Sequence, residues 1–249
     1  MTGNRSRQAL PLSFARIRSG GLSVFLKQRP LLVLLLLFLS IDLSSPHRVD
    51  AKSASEVYEL ASKSVVVVYN LDGQGNRQHF ASGVVMTEGE VATNYHVIEK
   101  AAKLAVVYNG KAFTARLRNS DPEMDISVLD VPGLKAPKAF IGKTNQLRIG
   151  ARVYAIGAPR GLELTLSDGI VSGFREVEGG HYIQTTTPIS SGSSGGGLFD
   201  EEGMLVGFPT FYLTEGQQLN FAVPVEWVLK LPLRKNANAT SNQNHTSWH

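Results

Sequence analysis

The 249-residue chain contains no cysteine. Disulfides, thiol nucleophiles and cysteine-ligated zinc or iron–sulfur centres are therefore excluded, while an exported location stays open, because oxidising compartments permit disulfides without requiring them. Acidic residues are missing from the first thirty positions, where Arg5, Arg7, Arg16, Arg18, Lys27 and Arg29 carry all the charge. Long apolar runs are scarce too. The run that follows the basic segment, LLVLLLLFLSI from Leu31 to Ile41, is 11 residues long, well short of the roughly 20 a helix needs to cross a bilayer. A basic segment, a short apolar core and then HRVDAKSASE, with Val49 and Ala51 at the positions a signal peptidase inspects, is the order of a secretory signal. Residues 1–51 are read as a signal peptide cut after Ala51, with a membrane anchor or an organellar transit segment as the alternatives.

A basic character is also missing once that leader is set aside. Residues 1–51 hold seven of the 25 Lys and Arg and two of the 21 Asp and Glu, so the remaining 198 residues carry 18 basic against 19 acidic side chains. The sequence pI of about 9.3 thus belongs to the leader. No Lys/Arg cluster remains as a footprint for nucleic acid, and none is expected as a partner. The expected location is extracytoplasmic, periplasmic or secreted, without a stable membrane span.

What is present is strand after strand. SASEVYELASKS reads as a short helix, with Ser53 and Glu56 at capping-box spacing. SVVVVYN then reads as a buried strand, AFTARLR alternates Phe113, Ala115 and Leu117 with polar residues, and LELTLS alternates Leu162, Leu164 and Leu166. HFASGVVM, LAVVYN, DISVLDV, ARVYAIG, GHYIQTTT, MLVGFPTFY and QLNFAV are further candidates, separated by Gly, Pro, Asn and Asp turns. Many short strands with almost no helix indicate closed barrels or a sandwich. PVEWVLKL is read as a closing helix with Pro224 in its first turn, and residues 233–249 as a polar, disordered tail. The folded domain is placed at 52–232.

Few side chains are placed to do chemistry. Of six histidines, His47 lies in the leader, His245 and His249 in the tail, His79 in a strand with no partner in view, and His181 at a strand start. His96, in EVATNYHVIEKAAK, stands where a strand gives way to a short helical turn. Among the acids of SDPEMDISVLDV, Asp121 precedes a proline in a turn, Asp130 ends the apolar stretch, and Asp125 stands at its entry. The segment ISSGSSGGGLFDEEG, Ile189 to Gly203, sets Ser194 among residues with little or no side chain, between a strand and a hairpin. A nucleophilic serine needs a base for its proton and N–H donors for the oxyanion, and a pinned glycine-rich turn can aim the N–H groups of Gly192 and Ser194 at one point.

His96 in TNYHVI, Asp125 in DISVLDV and Ser194 in GSSGGGL resemble, in order and context, the trypsin-like serine proteases, particularly the bacterial HtrA branch. YAIGAPRGLELTLSDGIVSG and LNFAVPVEWV are similar to that branch as well, so the resemblance runs from about Val65 to Leu229. It implies an all-β, chymotrypsin-like fold of two perpendicular six-stranded antiparallel barrels, here with short N- and C-terminal helices. The cleft lies between the barrels. It implies Ser194 as nucleophile, His96 as general base and then acid, Asp125 as orienter of the imidazole, and Gly192 and Ser194 as oxyanion donors. No metal or cofactor is implied, and the partners are protein or peptide substrates; the oligomeric state is left open. Two positions depart from the pattern: Ser193 replaces an acidic or amide residue, and Gly197 replaces a proline, which is expected to loosen the turn. HtrA proteins usually add a PDZ domain, which is not expected in this sequence. A substrate pocket is placed at Pro188, Ile189, Thr210 and Phe211, in segments without a carboxylate, so an apolar side chain is expected before the scissile bond.

Gly192 to Gly196 also fits the G-x-S-x-G elbow of α/β-hydrolases, but that fold needs its histidine after the serine, where only His245 and His249 of the tail remain. A P-loop ending at Gly142-Lys143-Thr144 would need its first glycine at Pro137. The remaining rival is a trypsin-like module that binds peptides without cleaving them.

Overall fold

The computed structural model describes residues 51–158, 164–177, 180–189, 192–212 and 219–231. The leader expected over residues 1–51 and the tail expected over 233–249 lie outside them, except Ala51. All described residues belong to one compact unit that starts at Ala51.

That unit opens with the helix Ala54–Ala61, whose N-cap Ser53 accepts from the backbone of Glu56 while the Glu56 carboxylate accepts in return, the reciprocal box the sequence predicts. Val57 and Ala61 turn its apolar side inward. Six strands follow: β1 Val65–Leu71, β2 Arg77–Thr87, β3 Glu90–Thr93, β4 Lys103–Tyr108, β5 Lys111–Asp121 and β6 Ile126–Asp130. They close into a barrel in the order β1-β2-β3-β6-β5-β4. The second set is β7 Arg152–Gly157, β8 Thr165–Val177, β9 Gly180–Thr185, β10 Gly197–Asp200, β11 Leu205–Tyr212 and β12 Asn220–Pro224. It closes as β7-β8-β9-β12-β11-β10, the order of the first barrel repeated. The pairings within both barrels are antiparallel. The chain is therefore an all-β protein of two six-stranded barrels, as the resemblance implies.

Strand alternation sorts side chains into three cores. Val66 and Val68 of β1 fill the first barrel with Val85, Val91, Val106 and Leu129. Val153 and Ala155 of β7 fill the second with Ile183, Leu198 and Val206. Residues one step away on the same strands, Val65 on β1 and Tyr154 and Ile156 on β7, join Ile126, Phe199, Phe208 and Val223 in a third core between the barrels. This explains why VVVV, Val65 to Val68, is continuously apolar: the strand has hydrophobic neighbours on both faces. Each such side chain contributes on the order of 1.5–3 kcal/mol by leaving water.

Two expectations need correcting. Leu117 does not continue the buried face of β5: it is 48% exposed, because the pairing with β6 shifts register between Leu117 and Asn119 and the bulge breaks the alternation. Pro224 is not inside the closing helix; it ends β12, paired with Gly207, and the helix occupies residues 225–231.

Candidate active site

His96 sits in the single helical turn Tyr95–Ile98 that follows β3 after Asn94. Asp125 is set by a tight turn in which Asp121 Oδ1 accepts from the Met124 N–H at 3.1 Å and the Asp125 N–H reaches Pro122 O at 3.3 Å. Its backbone is left-handed, φ 53°, a conformation aspartate tolerates better than most residues and one that recurs at functional sites. The strand-entry position read from the sequence thus holds the residue that reverses the chain into β6.

The carboxylate of Asp125 grips His96 twice. The backbone N–H of His96 donates to Oδ1 at 2.8 Å, and the ring Nδ1 lies 2.8 Å from Oδ2. The Thr210 hydroxyl donates to the same Oδ2, and Asn94 Nδ2 donates to the Asp125 carbonyl at 2.9 Å. A carboxylate can only accept, so Nδ1 carries the proton and Nε2 is left as the basic nitrogen. The hydrogen bond to Asp125 raises the His96 pKa above its ordinary value; partial burial opposes the shift, and the negative charges of Asp125 and Glu99 add to it. His96 and Asp125 line an open hollow of about 470 Å³ together with Tyr95, Glu99, Glu123 and Tyr182. A larger hollow of about 850 Å³, walled by Ile141, Trp227 and Leu229, contains neither of them.

Ser194 rides on a turn that the first barrel holds. The Ser82 N–H donates to Ser194 O at 2.9 Å, the Ser82 hydroxyl donates to Gly192 O at 2.7 Å, and the Gly195 N–H donates to Asn94 Oδ1 at 2.6 Å. Within the turn, Gly196 N–H closes on Ser193 O at 3.0 Å. Glycine is obligatory at 195: φ is 74°, and a Cβ would lie 2.2 Å from Thr93 Oγ1 and 2.4 Å from Ser82 O. Gly197 is not a loose joint. It starts β10, paired with Ile156, and the fully buried Phe199 ring occupies the space a Cβ would need, 2.3 Å away. Among the described residues, no hydrogen bond engages the N–H of Gly192, the N–H of Ser194 or the Ser194 hydroxyl, and none links that hydroxyl to His96 Nε2. Such links are often long without substrate and tighten in the complex.

The expected pocket residues divide. Pro188 is exposed and its carbonyl accepts from Ser167 Oγ at 3.0 Å; Ile189 is half-buried. Thr210 spends its hydroxyl on Asp125. Phe211 pairs with Phe221 through its backbone, while its side chain, Ser190 and Ser191 lie outside the described residues. Sequence reasoning missed Ser82 and Asn94. Asn94 stands where a helix N-cap is expected and would be read as one, yet its side chain makes no capping bond and instead bridges Asp125 to Gly195.

The region that carries these residues matches a known family. The trypsin-like peptidase domain family matches residues 81–208, which include His96, Asp125 and Ser194. The chain is 33% identical over 150 residues to a probable periplasmic serine endoprotease, DegP-like, of Chlamydia trachomatis, covering 57% of this chain and 30% of that protein. It is 36% identical over 162 residues to the serine protease Do-like HtrB of Bacillus subtilis, covering 57% of this chain and 35% of the relative. It thus spans about a third of the length of these relatives. Among solved structures, the serine endoprotease from Yersinia pestis superposes with a TM-score of 0.66 at 32% identity, over 74% of this chain and 66% of the other. The HtrA-type protease AlgW with a tripeptide gives 0.67 at 31% identity, over 73% and 62%.

Proposed function

From the fact that the chain belongs to the trypsin-like peptidase domain family, we propose that it is a serine endopeptidase of the HtrA type that cleaves proteins through His96, Asp125 and Ser194. The observation that carries the reading is the double grip of Asp125 on His96, which assigns the Nδ1 proton and leaves Nε2 free to act. In the reaction, Ser194 Oγ attacks the scissile carbonyl while Nε2 takes its proton. Nε2 then returns that proton to the departing amine, leaving an acyl-enzyme, and water repeats the sequence to release the acid. Asp125 stabilises the imidazolium formed on the way, with Thr210 supporting its Oδ2. The N–H groups of Gly192 and Ser194 are proposed to receive the oxyanion, a contribution on the order of 10²–10³ in kcat for one such donor.

The experiment is hydrolysis of an unfolded protein and a peptide library by the wild type and by Ser194→Ala, which should lose roughly 10⁴- to 10⁶-fold in turnover while remaining folded. Near-native cleavage by Ser194→Ala would overturn the mechanism. In the same digest, with Pro188 and Ile189 proposed to face the substrate, cuts are expected after apolar side chains; dominant cutting after Lys or Arg would remove that pocket assignment alone.

The folded domain is proposed to extend over 52–232 and to work outside the cytoplasm after removal of the leader. The relatives described as periplasmic and the basic-then-apolar order of residues 1–51 support this. No helix among the described residues is long and apolar enough to cross a membrane. Intact-mass measurement of exported material should show an N-terminus near position 52; an unprocessed chain in the membrane fraction would favour an anchor.

A further inference from the structure

The turn that bears Ser194 belongs to the second barrel, but the Gly192–Ser193 and Ser194–Gly195 peptide planes, which flank the peptide carrying the Ser194 N–H, are held from the first. Ser82, fully buried in the middle of β2, supplies both contacts: its N–H to Ser194 O at 2.9 Å and its hydroxyl to Gly192 O at 2.7 Å. The direction of the second bond is determined. Ser82 Oγ also lies 2.8 Å from the N–H of Ala158, a group that can only donate, so Oγ accepts there and its own proton points to Gly192 O. The fit is close, since a Cβ on Gly157 would lie 2.9 Å from that Oγ and 3.0 Å from Ser193 Cα.

Across a trans peptide the carbonyl and the following N–H point in opposite directions. The carbonyls of Gly192 and Ser194 are bound to Ser82, and that of Ser193 is bound to the Gly196 N–H. The N–H of Ser194 shares a peptide with the Ser193 carbonyl and is thereby turned away from Gly196, where no acceptor among the described residues meets it. Gly192, at φ 96° and without a side chain, puts no side-chain restraint on the Gly192–Ser193 peptide; the Ser82 hydroxyl, through the Gly192 carbonyl, is the group that holds that peptide.

We infer that Ser82 is a positioning residue, which holds the two peptides flanking the one that bears the Ser194 N–H and so aims that proposed oxyanion donor without touching substrate. The inference rests on the serine-peptidase reading above. It goes beyond the triad by assigning the second barrel's turn geometry to one hydroxyl of the first.

Ser82→Ala removes that hydroxyl alone. A fluorophosphonate titrant counts competent serines, and kcat is then expressed per titrated site. We expect kcat per site to fall roughly 10- to 100-fold, less than outright removal of a donor, with KM within about twofold. The acid limb of the pH profile should stay in place, because the His96–Asp125 pair is untouched. Ser82→Cys keeps a weak donor in a chain without other thiols; it should fall between, and decides the matter by the same measurement if Ser82→Ala does not fold. A kcat per site equal to the wild type's, with any loss confined to the number of titratable sites or to Tm, would make Ser82 structural only and overturn the inference while leaving the peptidase reading intact. A wild type that is not titrated would remove both.

Discussion

Each residue of the candidate triad is held by partners of a different kind. Asp125 accepts from the His96 backbone, the His96 ring and Thr210, so its charge is consumed in orienting rather than in reacting. One consequence is measurable. A general base must be neutral, so activity declines as pH falls through the pKa of His96, and the bond to Asp125 raises that pKa. The acid limb of kcat/KM should therefore lie above the ordinary histidine value of about 6.5, and Glu99→Gln, by removing a negative charge that favours the imidazolium, should move it downward. A limb at or below the ordinary value, unmoved by Glu99→Gln, would contradict the geometry. His96, Asp125 and Ser194 were readable in the sequence only together, because each alone is an ordinary feature and it is their shared order and context that carry the resemblance. Ser82 and Asn94 were not. A buried serine in a strand and an asparagine before a helical turn carry no local mark of their partners, which lie about a hundred residues away at Gly192 and Gly195.

At the scale of elements, the turn that carries Ser194 shows how packing can replace a missing residue. The sequence pattern predicts a looser turn where glycine stands for proline at 197, but the Phe199 ring fills the space over it. Gly197→Ala should therefore destabilise rather than rigidify, by about 1–3 kcal/mol, since the buried ring must give way. Trimming the ring in Gly197→Ala/Phe199→Leu should recover part of the loss relative to the sum of the single changes. Thermal melts of the two single variants and the double check this, and additive losses would show that the ring is not the obstacle. The strands themselves were largely readable from alternation and turn residues. The bulge that exposes Leu117 was not, because a one-residue register shift is set by the partner strand β6 and leaves no trace in the composition of β5.

The whole molecule places its candidate site at the junction of two barrels with the same strand order. His96 and Asp125 come from the first barrel and Ser194 from the second. A shared core of Val65, Ile126, Ile156, Phe199 and Phe208 fixes how the barrels meet, and the hydrogen bonds of Ser82 and Asn94 fix the turn at that seam. The number and closure of the barrels came from the resemblance; alternation alone left barrel and sandwich equally open, because a strand records which faces are buried and not which strand lies beside it. The central claim, that this seam activates Ser194 as a nucleophile, is tested most directly by treating the folded protein with a fluorophosphonate and locating the adduct by peptide mass spectrometry. A single modification on Ser194 is expected, one that disappears in His96→Ala because the hydroxyl depends on Nε2 for its reactivity. An unlabelled Ser194 in correctly folded protein, or labelling that survives His96→Ala at the wild-type rate, would contradict it.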